Sequence, residues 1–323
     1  MTTDPTGKYL YVADGNVVSA LAIDPSTGAL SPILGSPFST GALVDALSIS
    51  VDFTGKFLYT ADFAGDGTNP NDPNSISEFA IDSTTGALTL IPQAAACVAA
   101  TPPILGLATA VVADPAYGLL FATNENGLVC SFSMNSQGEL QPVAGSPFSL
   151  GANAGTLDPR GVAVDPFGKF LYTSDFGSFP QANVSAFSIT PGIGSLTPVS
   201  GSPFNSGDGA GDVPEAVAVD PLGRFLYVTN SGDISGYSIN QSTGALSMLA
   251  GFPFESVIPL SPLALDPSGK FLYVVTQDTV PSAEASLSGF AIDATTGALS
   301  PVAGLPLPIP GRGGILAVSR KAQ

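Results

Sequence analysis

The sequence predicts an all-β fold: a six-bladed β-propeller of four-stranded antiparallel blades, its ring closed by the C-terminal strand. Three observations carry that expectation. Turn formers are abundant, with 37 glycines and 29 prolines among 323 residues, a composition that favours many short strands over long helices. A turn-and-strand motif recurs six times at intervals of about 50 residues. No apolar pattern of helical period runs for a useful length.

The motif reads DPTGKYLYVAD from Asp4, DFTGKFLYTAD from Asp52, DPAYGLLFATN from Asp114, DPFGKFLYTSD from Asp165, DPLGRFLYVTN from Asp220 and DPSGKFLYVVT from Asp266. Asp–Pro opens a turn, and the glycine takes its positive-φ position. The Lys or Arg after that glycine is expected to fold back toward the turn aspartate. Each unit can be taken in order. A short apolar strand such as GVAVD, from Gly161, enters the turn. An aromatic strand of the KFLYVT type leaves it. A variable loop leads to a third strand such as VSAFSI, from Val184, and a TTG-type turn leads to a fourth, ALSPVAG in the last unit. Four strands repeated in tandem mark propeller blades, whereas a sandwich does not repeat so regularly.

Blade 1 is read as 311–319 plus 1–40. Blades 2 to 6 are read as 41–95, 104–150, 156–205, 213–255 and 258–307. The chain opens at the first turn, so blade 1 is expected to lack an inner strand. The C-terminal segment Leu316–Ser319 matches the inner-strand segment Val162–Asp165. Docking of Ile315–Ser319 along Tyr9–Ala13 would close the ring.

Composition excludes several function classes. There are 26 acidic and 9 basic residues, a formal charge of −17, and binding nucleic-acid phosphates needs clustered Lys and Arg. Histidine is absent, which removes His triads, His metal sites and His acid–base catalysis. The uncharged stretch from Thr89 to Ala113 is broken by Pro92, Pro102 and Pro103, so no membrane span is expected. Residues 1–20 show neither a basic nor an apolar leader region. A chain rich in Ser, Thr, Gly and Ala and poor in Lys, Arg and His is read as extracellular or periplasmic.

FLYVTN at Phe225 and TTGALSPVAG at Thr295 resemble the repeats of the lactonase-family β-propellers, the group of 6-phosphogluconolactonase and the YVTN-repeat surface proteins. The resemblance runs over the whole chain. That family usually has seven blades, so six is a departure. In its enzyme branch the resemblance implies an Arg and a His in a GPRH-like segment, and a Glu after the following strand. Here the matching segment is Asp158-Pro159-Arg160-Gly161. Arg160 falls on the family Arg, Gly161 on the His, and Phe176 near the Glu. Arg160 is left as electrophile for a lactone carbonyl, with Glu215 and Asp175 as the nearest carboxylates to act as base. With two of three residue types replaced, no turnover of sugar lactones is expected.

Two other features could carry chemistry. Asp62, Asp66, Asn71 and Asp72 crowd oxygen ligands into one loop and could hold calcium, although their spacing is not that of an EF-hand. The plain alternative is a solvated loop. No other cofactor is expected. Cys97 and Cys130 are the only cysteines and could form a disulfide. Cys130 also sits where other repeats carry Ser19, Ser77, Ser185, Ser235 and Ser288, so it is equally read as a small buried residue. Most remaining acids fall in the variable loops, opposed there only by Arg160 and Arg312, and such a face repels anionic lactones. The leading reading is a non-enzymatic binding, adhesion or structural module whose partner is another protein or itself. A lactonase-type hydrolase and a calcium-stabilised surface protein stay open as alternatives.

Overall fold

A computed structural model describes residues 1–40, 45–63, 75–92, 95–96, 108–151, 157–177, 182–206, 213–255, 260–276 and 285–309. Among these residues the regular structure is all strand: six antiparallel sheets of five strands each, the blades of a six-bladed β-propeller. No helix among them is long and apolar enough to cross a membrane. The chain divides into two compact units. One takes in Met1–Pro159 and Thr190–Leu196, the other Arg160–Ile189 and Thr197–Val318.

Blade 3 shows the pattern. Ala108–Ala113, Leu119–Asn124, Leu128–Met134 and Leu140–Pro142 lie side by side in chain order. The second strand is buried at every residue, as a strand covered on both faces must be. A fifth strand, Phe148–Ser149, pairs with the third, Val129 opposite Phe148. It follows the fourth strand along the same edge of the third, so the blade stays four strands wide as expected. The extra strand is two residues long and follows a proline, so it has no alternation to betray it. In blade 2, Ala95–Ala96 takes that place, Ala95 opposite Ile76. Blade 1 also departs from expectation, because Thr2 and Thr3 pair with Tyr11 and Leu10 and supply an inner strand. Residues 315–319, expected along that edge, lie outside the described residues.

The DPxG turns explain why each motif begins with Asp. Asp4 Oδ1 accepts the amides of Lys8 and Tyr9, both at 2.8 Å, and Asp52 Oδ1 accepts those of Lys56 and Phe57 at the same distance. Gly55 follows with φ 69°. A buried carboxylate is costly unless it is hydrogen-bonded, and here the turn's own backbone supplies the donors. The basic side chain closes an ion pair at Arg224, whose Nη2 lies 2.9 Å from Asp220 Oδ2. At Asp4, Asp52, Asp165 and Asp266 it is the amide of the following Lys, not its charge, that binds the aspartate.

Successive blades are joined by a repeated bond. The second-strand tyrosines Tyr11, Tyr59, Tyr172 and Tyr227 donate to the carbonyls of Gly86, Gly138, Gly244 and Gly297, each in the second turn of the next blade, at 2.8–3.1 Å. Blade 3 has Phe121 at this position. There Ser131 Oγ, from the adjacent strand, donates to Gly194 at 2.8 Å instead.

A second size match runs within blades. Ser36, Ser146 and Ser202, each before a proline, accept the amides of Ala20, Ser131 and Ala186 at 2.9–3.0 Å. In blades 5 and 6 the serine becomes Phe252 or Leu305, and the third strand carries Gly236 or Gly289. A Cβ at Gly236 would fall 2.6 Å from the Phe252 ring, and one at Gly289 would fall 2.4 Å from Leu305. Gly236→Ala should therefore cost about 1–3 kcal/mol in urea unfolding, the usual range for overpacking. In a Phe252→Ser background the same change should cost much less, a coupling read by a double-mutant cycle. Equal costs in both backgrounds would refute the steric account.

Candidate active site

Arg160 lies in the inner strand of blade 4, Leu157–Val164, whose residues alternate between buried and half-buried. The alternation places Arg160 on the half-buried side, one residue after Pro159. Its Nη1 meets Glu215 Oε1 at 2.6 Å, and the two side chains are 34% and 29% exposed. Glu215 immediately precedes the inner strand of blade 5, Ala216–Val219, and its amide donates to the Thr229 carbonyl at 2.8 Å. The Arg160 guanidinium also lies 4.8 Å from the centroid of the Phe176 ring, a cation–π contact. One cation is thus held by a carboxylate and by the face of an aromatic ring, with part of its surface open to solvent.

The neighbouring glycine is dictated by space. A Cβ on Gly161 would lie 2.7 Å from Ser174 Oγ, 3.1 Å from the Val217 nitrogen and 3.2 Å from Ala216 Cα. Two of those atoms are backbone, so the inner strands of blades 4 and 5 approach closely here and any side chain at this position would be crowded. The position expected for the family Glu is filled by Phe176, the ring that covers Arg160.

The structure sorts the three residues singled out as catalytic. Arg160 and Glu215 are brought together. Asp175 is not a candidate base: it is completely buried, and its Oδ2 accepts from Ser185 Oγ at 2.5 Å. It adjoins Phe176 on one strand, and successive side chains of a strand point to opposite faces. Asp62 occupies the same repeat position in blade 2. It too is completely buried, accepting from Thr60 at 2.8 Å and Ser77 at 2.5 Å. Both of its carboxylate oxygens are thus engaged by hydroxyls of the blade itself. Asp66, Asn71 and Asp72 lie outside the described residues, and among the described ones no group of three His, Cys, Asp or Glu could hold a metal. The repeat itself held the signal: blades 3 and 5 carry Asn124 and Asn230 at this position, both buried. The stacking of Phe176 on Arg160 had no sequence signal, because it depends on how two strands pair. Cys130 is buried and disulfide-bonded; Cys97 lies outside the described residues.

A cavity of about 170 Å³ lies elsewhere, lined by Asp165, Phe167, Lys169, Phe170, Gly223, Ile239 and Gln241. It is smaller than the roughly 300 Å³ at which ligand sites begin. Its carboxylate is engaged too, since Asp165 Oδ1 accepts the amides of Lys169 and Phe170 at 2.6 and 2.7 Å.

The family model of the lactonases, seven-bladed β-propellers, matches residues 112–256 and 159–311. The chain belongs to the lactonase propeller family. Its repeats are thus lactonase repeats, and the non-enzymatic module placed first on sequence grounds is corrected: membership backs the lactonase-type alternative instead. Among solved structures the chain is similar to a candidate 6-phosphogluconolactonase from Bacteroides fragilis, with 19% identity, TM-score 0.70, and coverage of 97% of this chain and 86% of that one. It is also similar to the periplasmic gluconolactonase of Pseudomonas aeruginosa, with 21% identity, TM-score 0.70, and coverage of 93% and 83%. A candidate 6-phosphogluconolactonase from Bacteroides uniformis gives 19%, 0.69, 91% and 82%. At these identities the likeness is one of fold. Among curated proteins nothing matches the chain.

The buried aspartates give a pH signature. Burial pushes Asp62 and Asp175 up to about 6, against the opposing pull of their hydroxyl donors. The unfolded chain ionises these groups near 3.8, so between about 4 and 6 the folded state holds more protons. Stability is therefore greatest below 3.8 on this account and falls as pH rises through 6. Turn aspartates such as Asp24 and Asp82 are shifted down by backbone amides, so their opposite contribution grows as pH rises through the unfolded value and levels off about one pH unit above it. Asp62→Asn and Asp175→Asn should each flatten the fall between pH 4 and 6 in urea unfolding series. An unchanged slope in both would show that these carboxyls ionise normally.

Proposed function

We propose that this protein hydrolyses lactones, with Arg160 as the electrophile and Glu215 as the base. The observation that carries the reading is the half-exposed Arg160–Glu215 pair at 2.6 Å, in a chain of the lactonase family with no histidine to serve as base. Lactone opening needs a base for water and a donor for the oxygen that becomes negative. Glu215 Oε2 takes a proton from water as the water oxygen attacks the carbonyl carbon. Arg160 N–H groups donate to the developing oxyanion. Collapse breaks the ring C–O bond, and Glu215 returns its proton to the leaving alkoxide, giving a hydroxy acid. Phe176 keeps water from one face of the guanidinium.

The substrate in this reading is an uncharged lactone. The charge of Arg160 is matched by Glu215, and a chain at −17 offers no surplus cation for a phosphate. An extracellular or periplasmic location fits the disulfide at Cys130, since disulfides persist in oxidising compartments.

The test is hydrolysis of glucono-δ-lactone above its spontaneous rate. Arg160→Ala should lower kcat by about 10²–10³, the usual loss of an oxyanion donor. Glu215→Gln should lower it by about 10²–10⁴, the range for a general base. The phosphorylated lactone should show the higher KM. Turnover unchanged in both variants, or no turnover of any lactone tried, would overturn the proposal.

A further inference from the structure

We infer that the outer edge of blade 5 is the surface through which two copies of this chain pair, strand to strand about a two-fold axis. The inference does not involve the Arg160–Glu215 site. The fourth strand of blade 5, Leu246–Met248, ends its sheet, and nothing described pairs with its far side. Such an edge offers unpaired N–H and C=O groups to any other strand, and proteins guard it with proline and charge. Which groups face outward follows from the pairing. The Leu249 amide donates to the Gly236 carbonyl, and the Asn240 amide to that of Ala245, both at 2.9 Å. Backbone groups of alternate residues in an antiparallel strand point opposite ways. Those of Ser247 therefore face the third strand, and those of Leu246 and Met248 face out.

The other blades guard this edge. In blades 1, 3, 4 and 6 the place of Met248 is taken by Pro32, Pro142, Pro198 and Pro301. The residue after each proline donates inward as Leu249 does: Ile33 to Ala20, Val143 to Ser131, Val199 to Ala186 and Val302 to Gly289. The proline thus removes the outward amide. Blade 2 has Leu90 there but keeps an exposed carboxylate, Asp82, on the turn that enters the strand, as blades 1 and 6 keep Asp24 and Asp293. Blade 5 has neither guard. Met248 stands for the proline and is 41% exposed, Asn240 stands for the aspartate, and no charged residue lies between Asp233 and Glu255.

The edge is complementary to itself, which names the occupant. Antiparallel pairing centred on Ser247 sets Leu246 of each copy opposite Met248 of the other. All the outward amides then meet outward carbonyls around one two-fold axis, the closed arrangement of an isologous dimer. A proline at 248 would delete half of those bonds. The exposed Met248 side chain gains Leu246 of the second copy as its cross-strand neighbour, and the two Ser247 side chains face each other on the opposite side of the sheet. Copies of a chain at −17 repel one another, and this uncharged edge is where they can approach. An edge of three residues buries less than the roughly 1,200–2,000 Å² of a stable interface, so the dimer forms at high protein concentration and dissociates on dilution.

Sedimentation of the 323-residue chain over a wide range of concentration tests the inference. Monomer should pass to dimer, with no larger species. Met248→Pro installs the residue of four sister blades, so it should leave the Tm of dilute protein unchanged while weakening the dimer about tenfold or more. Met248→Leu should keep the dimer. A cross-link reads the register. Facing residues of a non-hydrogen-bonded pair have Cα atoms about 4.5 Å apart, within disulfide range, so Ser247→Cys should give a covalent dimer under a mild oxidant. Ser300→Cys, equally exposed beside Pro301 in blade 6, should not, and adding Met248→Pro to Ser247→Cys should suppress the cross-link. If Met248→Pro lowers the Tm, the comparison of Ser247→Cys with Ser300→Cys decides alone. A chain that stays monomeric at every concentration overturns the inference, as does a dimer indifferent to a well-folded Met248→Pro. Equal cross-linking of the two cysteine variants also overturns it, and so do species larger than a dimer, which mark head-to-tail pairing of unlike edges.

Discussion

The hydroxyl bond from one blade to the turn glycine of the next is the contact on which the assembly depends. A lone blade is a small sheet that cannot bury both faces, so stability has to come from stacking. Each tyrosine adds direction to that stacking. Its ring fills the apolar space between blades, and its hydroxyl satisfies a carbonyl that would otherwise be buried and unpaired, at a cost of roughly 1–3 kcal/mol. Gly86, Gly138, Gly244 and Gly297 have to be glycine because the ring behind the tyrosine passes where a Cβ would be. Blade 3 shows that the bond, not the tyrosine, is what is required. With Phe121 lacking a hydroxyl, Ser131 from the neighbouring strand reaches Gly194.

That economy explains where the acids are. A chain with 26 acidic and 9 basic residues cannot pair its carboxylates with cations. It pairs several of them with its own backbone amides in the DPxG turns, and it sinks Asp62 and Asp175 among serine and threonine hydroxyls. The acidic composition is in this respect an architectural property. It leaves few charges for chemistry, which makes the Arg160–Glu215 pair conspicuous.

What the sequence discloses follows the range of the interaction concerned. The turns and the second and third strands of every blade are legible because Asp–Pro, a positive-φ glycine and an aromatic strand are all local signals. The two- and three-residue fifth strands and the Thr2–Thr3 inner strand are illegible, since pairing of so short a segment is decided by the sheet it meets. The candidate site divides in the same way. Arg160 and Glu215 could be proposed from blade order. Asp175 could not be dismissed, because a carboxylate at a strand end reads alike in sequence whether it faces water or a Ser185 hydroxyl. Burial, a tertiary quantity, separates the two.

The changes around Arg160 form one consistent set. With the strands of blades 4 and 5 closing on Gly161, a side chain there is crowded by Ser174 Oγ and by the backbone of Ala216 and Val217. With Phe176 where the resemblance implies a carboxylate, Arg160 would be a half-buried cation lacking a counter-charge, an arrangement that burial penalises. Glu215 restores the balance from the adjoining strand of blade 5, and the ring of Phe176 covers the guanidinium face that a carboxylate would otherwise have approached. The carboxylate and the ring thus fix the guanidinium from two directions, the first at 2.6 Å and the second at 4.8 Å from the ring centroid.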